Sequence, residues 1–115
     1  MQTEKIMQHL IGKTYEEVIL ALSTDEDSGD CCGWANLEIT DEVNGNPSAK
    51  LVDVVRIDYE EEDFDRVVVN FIFDVGDNEG VILGYDLSAG SGSGWSYGAY
   101  VTLMYGDEEV ASASY

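Results

Sequence analysis

DRVVVNFIFDVGDNEGVILGYDLS, residues 65–88, is the stretch whose reading decides the fold. Val67, Val69, Phe71, Phe73 and Val75 fall at every second position, with Val68, Asn70, Ile72 and Asp74 between them. A period of two in β-branched and aromatic residues predicts a strand with one apolar face. Gly76-Asp77-Asn78-Glu79-Gly80 follows, built from residues that tolerate tight or positive-φ geometry. Val81, Leu83, Tyr85 and Leu87 then resume the alternation. The expectation is a β-hairpin at the centre of the core.

Outward from that hairpin, further strands are expected on both sides. Ala35, Leu37 and Ile39 alternate with Asn36, Glu38 and Thr40, and residues 51–59 form another strand. There Val52 and Val54 are expected on one side, with Val55, Ile57 and Tyr59 on the other. Asn44-Gly45-Asn46-Pro47 reads as a turn, because proline cannot donate within a central strand. Residues 100–105 read as a last strand, with the VASASY end fraying. Residues 24–30 and the Gly/Ser-rich residues 89–98 read as loops.

At the N-terminus, Thr3 can cap a short helix whose Ile6, Met7, Leu10 and Ile11 share one face, and Gly12 is placed to end it. KTYEEVILALS is ambiguous. Thr14 and Glu17 form a capping-box pattern, whereas Val18, Leu20 and Leu22 alternate like a strand. A strand over 17–23 is the favoured reading, with a helical turn as its rival. Together these elements predict one α+β domain over residues 1–115, a mostly antiparallel β-sheet of five to six strands with a short N-terminal helix.

Charge is the most unusual property of the chain. Its 115 residues include 24 Asp and Glu against 5 Lys and Arg, a formal net charge of −19. Such a surface repels nucleic acid and anionic membrane and speeds encounter with basic partners. No apolar run reaches the roughly 18–20 residues that span a bilayer, and the first residues lack the pattern of a signal peptide. Two adjacent cysteines make no disulfide framework, which points to a cytoplasmic setting.

Motifs for chemistry are sparse. Cys31 and Cys32 in GDCCGW are too few for a structural zinc site, and His9 is the chain's single histidine. Ser88, Ser91, Ser93 and Ser96 have no imidazole base beyond His9, so neither a serine nor a cysteine nucleophile has its partners in pattern. DEDSGD and DVGDNEG depart from the order of ligands in a calcium loop. AGSGSGWSYG precedes a strand rather than a helix and lacks the lysine of a phosphate cradle. The chain is therefore read as no enzyme, with no catalytic residues, no cofactor and no metal. The glycine-rich loop presents Trp95 and Tyr97 to a partner, or folds Trp95 back on the core; both readings stand.

The acidic block DYEEEDFD, residues 58–65, is the leading candidate for function. On an extended strand, alternate side chains lie about 6.8 Å apart on one face. Asp58, Glu60 and Glu62 would form one row, with Glu61, Asp63 and Asp65 opposite, a spacing comparable to successive phosphates of a nucleic-acid strand. A solvated acidic surface of the kind found in salt-adapted proteins is the competing reading.

Leu10, Gly12, Lys13 and Thr14, then Asp30, Cys31 and Cys32, then Ser93, Gly94, Trp95, Ser96 and Tyr97 resemble a pattern in short uncharacterised proteins of bacteriophages and bacteria. That group looks like an L-x-G-K-T start, a Cys-Cys pair and a Gly-rich aromatic segment. Here a glycine follows the cysteines where the group often has an acidic residue. The resemblance implies a phage accessory protein without catalytic residues, working in the host cytoplasm. The expected activity is binding: inhibition of a basic, nucleic-acid-binding host or defence protein through a surface that mimics DNA. Asp58, Glu60, Glu61, Glu62, Asp63, Asp65, Trp95 and Tyr97 are the expected contact residues, with no direct binding of nucleic acid or membrane and with homodimer formation left open. The alternative is a structural or self-associating module whose acidity is background.

Overall fold

The structure, a computed structural model, describes residues 9–27, 33–60, 64–76, 80–91 and 99–114. Among the described residues, seven antiparallel strands make two sheets, and one helix is complete. After helix α1 (Tyr15–Ala21) come β1 (Leu22–Asp27), β2 (Gly33–Asp41), β3 (Lys50–Glu60), β4 (Phe64–Asp74), β5 (Gly80–Ser91), β6 (Tyr100–Tyr105) and β7 (Glu108–Ser114). One sheet has the order β2-β5-β4-β3 and the other β1-β6-β7. The antiparallel α+β reading holds, with strands beyond the five or six expected.

The central hairpin forms as its alternation dictates. Val67, Val69, Phe71 and Phe73 of β4 stand opposite Leu87, Tyr85, Leu83 and Val81 of β5. Except for the half-buried Val81, all of these face a closed core, and both phenylalanines are fully buried. Phe71 meets Tyr85 edge-on at 6.0 Å between centroids, and Tyr15 of α1 meets Phe73 likewise at 5.7 Å. Truncating either phenylalanine to alanine removes about 3–5 kcal/mol of stability. The three-stranded sheet covers part of this inner face with Val101, Leu103, Val110, Ala111 and Ala113, while Leu10, Val18, Val43 and Ala49 complete the core.

Of the strand expected over 17–23, only Leu22 and Ser23 are extended; residues 17–21 are helical. Thr14 and Glu17 complete a reciprocal capping box, and the chain is helical through Ala21 before β1 begins at Leu22. The cap takes the Thr14 and Glu17 N–H groups, while the Tyr15 and Glu16 N–H groups donate to the Ala49 and Pro47 carbonyls. Only Val18 of the helix is fully buried, and Leu20 lies 79% exposed. The alternation of Val18, Leu20 and Leu22 therefore does not mark a buried face. Of the expected first helix, His9 and Leu10 are helical, and Gly12 follows at φ 91°; residues 1–8 lie outside the described residues.

Two bulges and two extended strands account for the remaining differences. In β3, Leu51 opposes Phe73 and Asp53 opposes Ile72, so Val52 is an extra residue. The bulge breaks strict alternation: Leu51 and Val54 are buried, whereas Val52 is 49% exposed and does not share the side of Val54. In β7 a register shift leaves the consecutive Val110 and Ala111 both buried. The end expected to fray is this seventh strand, joined to β6 by a tight turn with Gly106 at φ 58°. Residues 24–27, expected in a loop, belong to β1 and pair with β6; residues 89–91, also expected in a loop, belong to β5 and pair with β2. Backbone pairing with a neighbour outweighs local composition at both places.

Among the described residues, no helix is long and apolar enough to cross a membrane.

Candidate functional site: an acidic end of the sandwich

Strand pairing brings the acidic residues of β1 and those at the β3–β4 junction to one end of the molecule. In the four-stranded sheet, Gly33 opposes Ser91, Glu60 opposes Asp65, and Asp65 opposes Ala89. In the three-stranded sheet, Asp27 opposes Tyr100, and Tyr100 opposes Ser114. The Ser114 N–H donates to Asp65 Oδ2 at 3.0 Å and ties the two sheets together there. Asp25, Glu26 and Asp27 of β1 thus share this end with Asp58, Glu60 and Asp65.

The expected single acidic strand over 58–65 is not what forms. β3 stops at Glu60, β4 starts at Phe64, and the two run antiparallel. Asp58 and Glu60 remain at alternate positions of one strand, while Asp65 stands across from Glu60 on the next. The ladder's return after Glu60 leaves Asp58 opposite Val67 and only Glu60 opposite another carboxylate, Asp65. Glu61, Glu62, Asp63, Trp95 and Tyr97, as well as Cys31 and Cys32, lie outside the described residues.

Local contacts fix the described carboxylates. Arg56 Nη2 pairs with Asp58 Oδ1 at 3.0 Å, while Arg56 Nη1 donates to the Val110 carbonyl at 3.4 Å. The Asp58 side chain is nevertheless 65% exposed. The Tyr100 hydroxyl donates to Asp25 Oδ2 at 3.2 Å. That hydrogen bond to a carboxylate, with the charge of Asp25 itself, holds the Tyr100 phenol above its ordinary pKa. Residues 23–27 of β1 are exposed throughout. This row of carboxylates guards an edge strand against pairing, while leaving its charge accessible.

The outer face of the four-stranded sheet adjoins this end and was not singled out by sequence. Arg66 makes a bidentate pair with Asp86, at 3.0 Å from Nε and 2.7 Å from Nη2, and lies 4.5 Å over the Tyr59 ring. Beside it, Ile57, Tyr59, Val68 and Gly84 help line an open cleft of about 220 Å³. Gly90 lies beneath the Trp34 indole so closely that a Cβ would come within 2.7 Å of the ring, and Trp34 also meets Phe64 at 5.5 Å. Residues 55, 57 and 59 alternate on one strand and 66 and 68 on the next, with opposite parity. Only the β3–β4 register brings them together.

His9 lines an open cleft of about 460 Å³ with Lys13, Tyr105, Asp107 and Glu108. Tyr105 ends β6 at the turn opposite Tyr100, so this cleft sits at the far end from Gly33, the residue after the cysteines. Among the described residues, no group of three or more His, Cys, Asp or Glu side chains is arranged to hold a metal ion.

No family model matches the chain, and no curated protein and no solved structure is significantly similar to it.

Proposed function

We propose that this protein acts by binding a basic partner, a nucleic-acid-binding host or defence protein, and that its acidic end occupies the partner's phosphate-binding surface as an inhibitor. One observation carries the reading. Glu60 and Asp65 stand directly opposite each other on paired strands, a like-charge placement that costs a sheet stability. A position that works against folding yet ends the densest acidic block suits a surface shaped for recognition. The attraction supplied by such a surface is the one that governs phosphate contacts, and it weakens steeply with salt. No catalytic group or cofactor enters this function, and the place of action is the cytoplasm.

Acidity as background has its own support: Asp107, Glu108 and Glu109 are exposed at the opposite end. A pull-down from bacterial lysate, at low and high salt and with DNA as competitor, separates the readings. The expected result is a basic partner displaced by DNA and by salt. Lysine at positions 60, 61, 62 and 63 together should weaken that partner's affinity by several kcal/mol, and lysine at 107, 108 and 109 by less. Glu60→Lys alone should also raise stability, since it sets an opposite charge across the ladder from Asp65. Equal losses from both sets, or no DNA-competitive partner, would leave the block as solvated surface.

A further inference from the structure

β3 is an edge of the four-stranded sheet, and its first residues are already covered on that side. The Leu51 N–H donates to the Lys13 carbonyl and the Gly12 N–H to the Leu51 carbonyl, both at 2.9 Å, while Thr14 bridges Lys50. The bulge at Val52 follows, and the Val54 N–H is taken by its neighbour Asp53 at 2.9 Å. From Val55 to Glu60 the strand continues as an edge, and among the described residues no strand pairs with it on the side away from β4.

The four edge strands differ in charge. β1, β2 and β7 carry carboxylates and no cation, so two copies of any of them repel. β3 alone carries cations, and Arg56 stands two residues from Asp58. Val55, Ile57 and Tyr59, exposed at 36–38%, occupy the alternate positions on the outer face.

We propose that β3 pairs antiparallel with β3 of a second copy of this chain, about a two-fold axis at Ile57, to make a continuous eight-stranded sheet. This register is self-complementary from Val55 to Tyr59. Arg56 of each copy opposes Asp58 of the other, Ile57 opposes Ile57, and Val55 opposes Tyr59. Opposed residues of antiparallel strands share a face, so the apolar pairs extend the exposed outer face across the junction while the ion pairs lie on the other side. A shift of one position would set Arg56 opposite Ile57 and lose both ion pairs. The Arg56–Asp58 pair within each copy is exchanged for one between copies, two pairs for two, as an isologous interface requires. With −19 on each copy, association tightens as salt screens the repulsion between copies, the opposite of the salt response of a basic partner.

Sedimentation velocity on the full chain, over a range of protein and salt concentrations, tests this. The native protein is expected to dimerise more tightly as salt rises. Arg56→Asp and Asp58→Arg should each lose self-association, because each sets like charges opposite each other at both contacts. Mixed in equal amounts they should form a heterodimer at least about tenfold tighter than either protein's homodimer, because the mixed register restores opposite charges at both contacts. Ile57→Lys, at an exposed position, should also be monomeric, with an unchanged circular dichroism spectrum as the control for folding. A native protein that stays monomeric at every salt concentration, or a mixture that does not associate, overturns the proposal. So does a dimer that Ile57→Lys leaves intact.

Discussion

At the scale of single residues, Asp41 ties together groups that sequence leaves unrelated. Its Oδ1 accepts the N–H groups of Val43 and Asn44 and so turns the chain out of β2, while its Oδ2 accepts the Tyr15 hydroxyl. The hydrogen bond to Asp41, followed by burial and the carboxylate's charge, pushes the Tyr15 phenol up to about 12. Burial and then the same charge push Tyr85 up to about 12. Both phenols bind their protons more tightly in the folded chain than in the unfolded one. Their contribution is therefore complete below pH 10 and is lost as pH rises towards 12. Phenolate absorbance should show Tyr15 and Tyr85 titrating late, beside the raised Tyr100, with unfolding in the same alkaline window. Asp41→Asn keeps the amide oxygen for the turn but removes the charge, so it should bring Tyr15 back towards 10. A Tyr15 titration unmoved by that change would refute the assignment.

At the scale of elements, α1 shows how little separates helix from strand here. Seven residues are too few to hold a helix by propensity alone. The capping box supplies what propensity does not: Glu17 N–H donates to Thr14 Oγ1 at 3.3 Å, and Thr14 N–H donates back to Glu17 Oε1 at 3.1 Å. These bonds hold the Glu17 carboxyl below its ordinary pKa, so their support is present at neutral pH and fades in acid as the carboxyl protonates. Thr14→Ala should cost about 1 kcal/mol in urea unfolding and lower helical ellipticity. Thr14→Ser, which keeps the hydroxyl, should cost much less. If alanine and serine were equivalent, packing of Val18 rather than the cap would be what fixes the helix.

For the whole molecule, charge opposes the fold that carries it. Arg56–Asp58 and Arg66–Asp86 form ion pairs within the described residues, but carboxylates greatly outnumber the chain's cations, so most of them have no cation to pair with. Raising salt from about 0.01 to about 0.1 M shortens the screening length from about 30 to about 10 Å. The melting temperature should therefore rise by several degrees over that range. Asp107→Lys, Glu108→Lys and Glu109→Lys together should flatten the response, because these exposed groups contribute repulsion and little packing. A melting temperature that falls with salt would show that ion pairing, not repulsion, dominates the surface.

The central hairpin and the antiparallel class were legible in the sequence. Alternation in residues 67–73 and 81–87 is a local property, and burial of one face follows from it directly. The VASASY end reads as fraying chain, and only its pairing with β6 beyond the Gly106 turn makes it β7. Tertiary structure alone decided the rest. Which side of β3 is buried depends on one extra residue at Val52, and a bulge leaves no mark in an apolar run. Residues 17–21 carry a capping-box start as well as strand-like alternation, and the bonds made by Thr14 and Glu17 go with the helix. Sequence places Asp58, Glu60 and Asp65 in one run of acid. Antiparallel pairing sets Glu60 against Asp65 and brings β1 to the same end, because long-range partners, not neighbours in the chain, determine what a strand end faces.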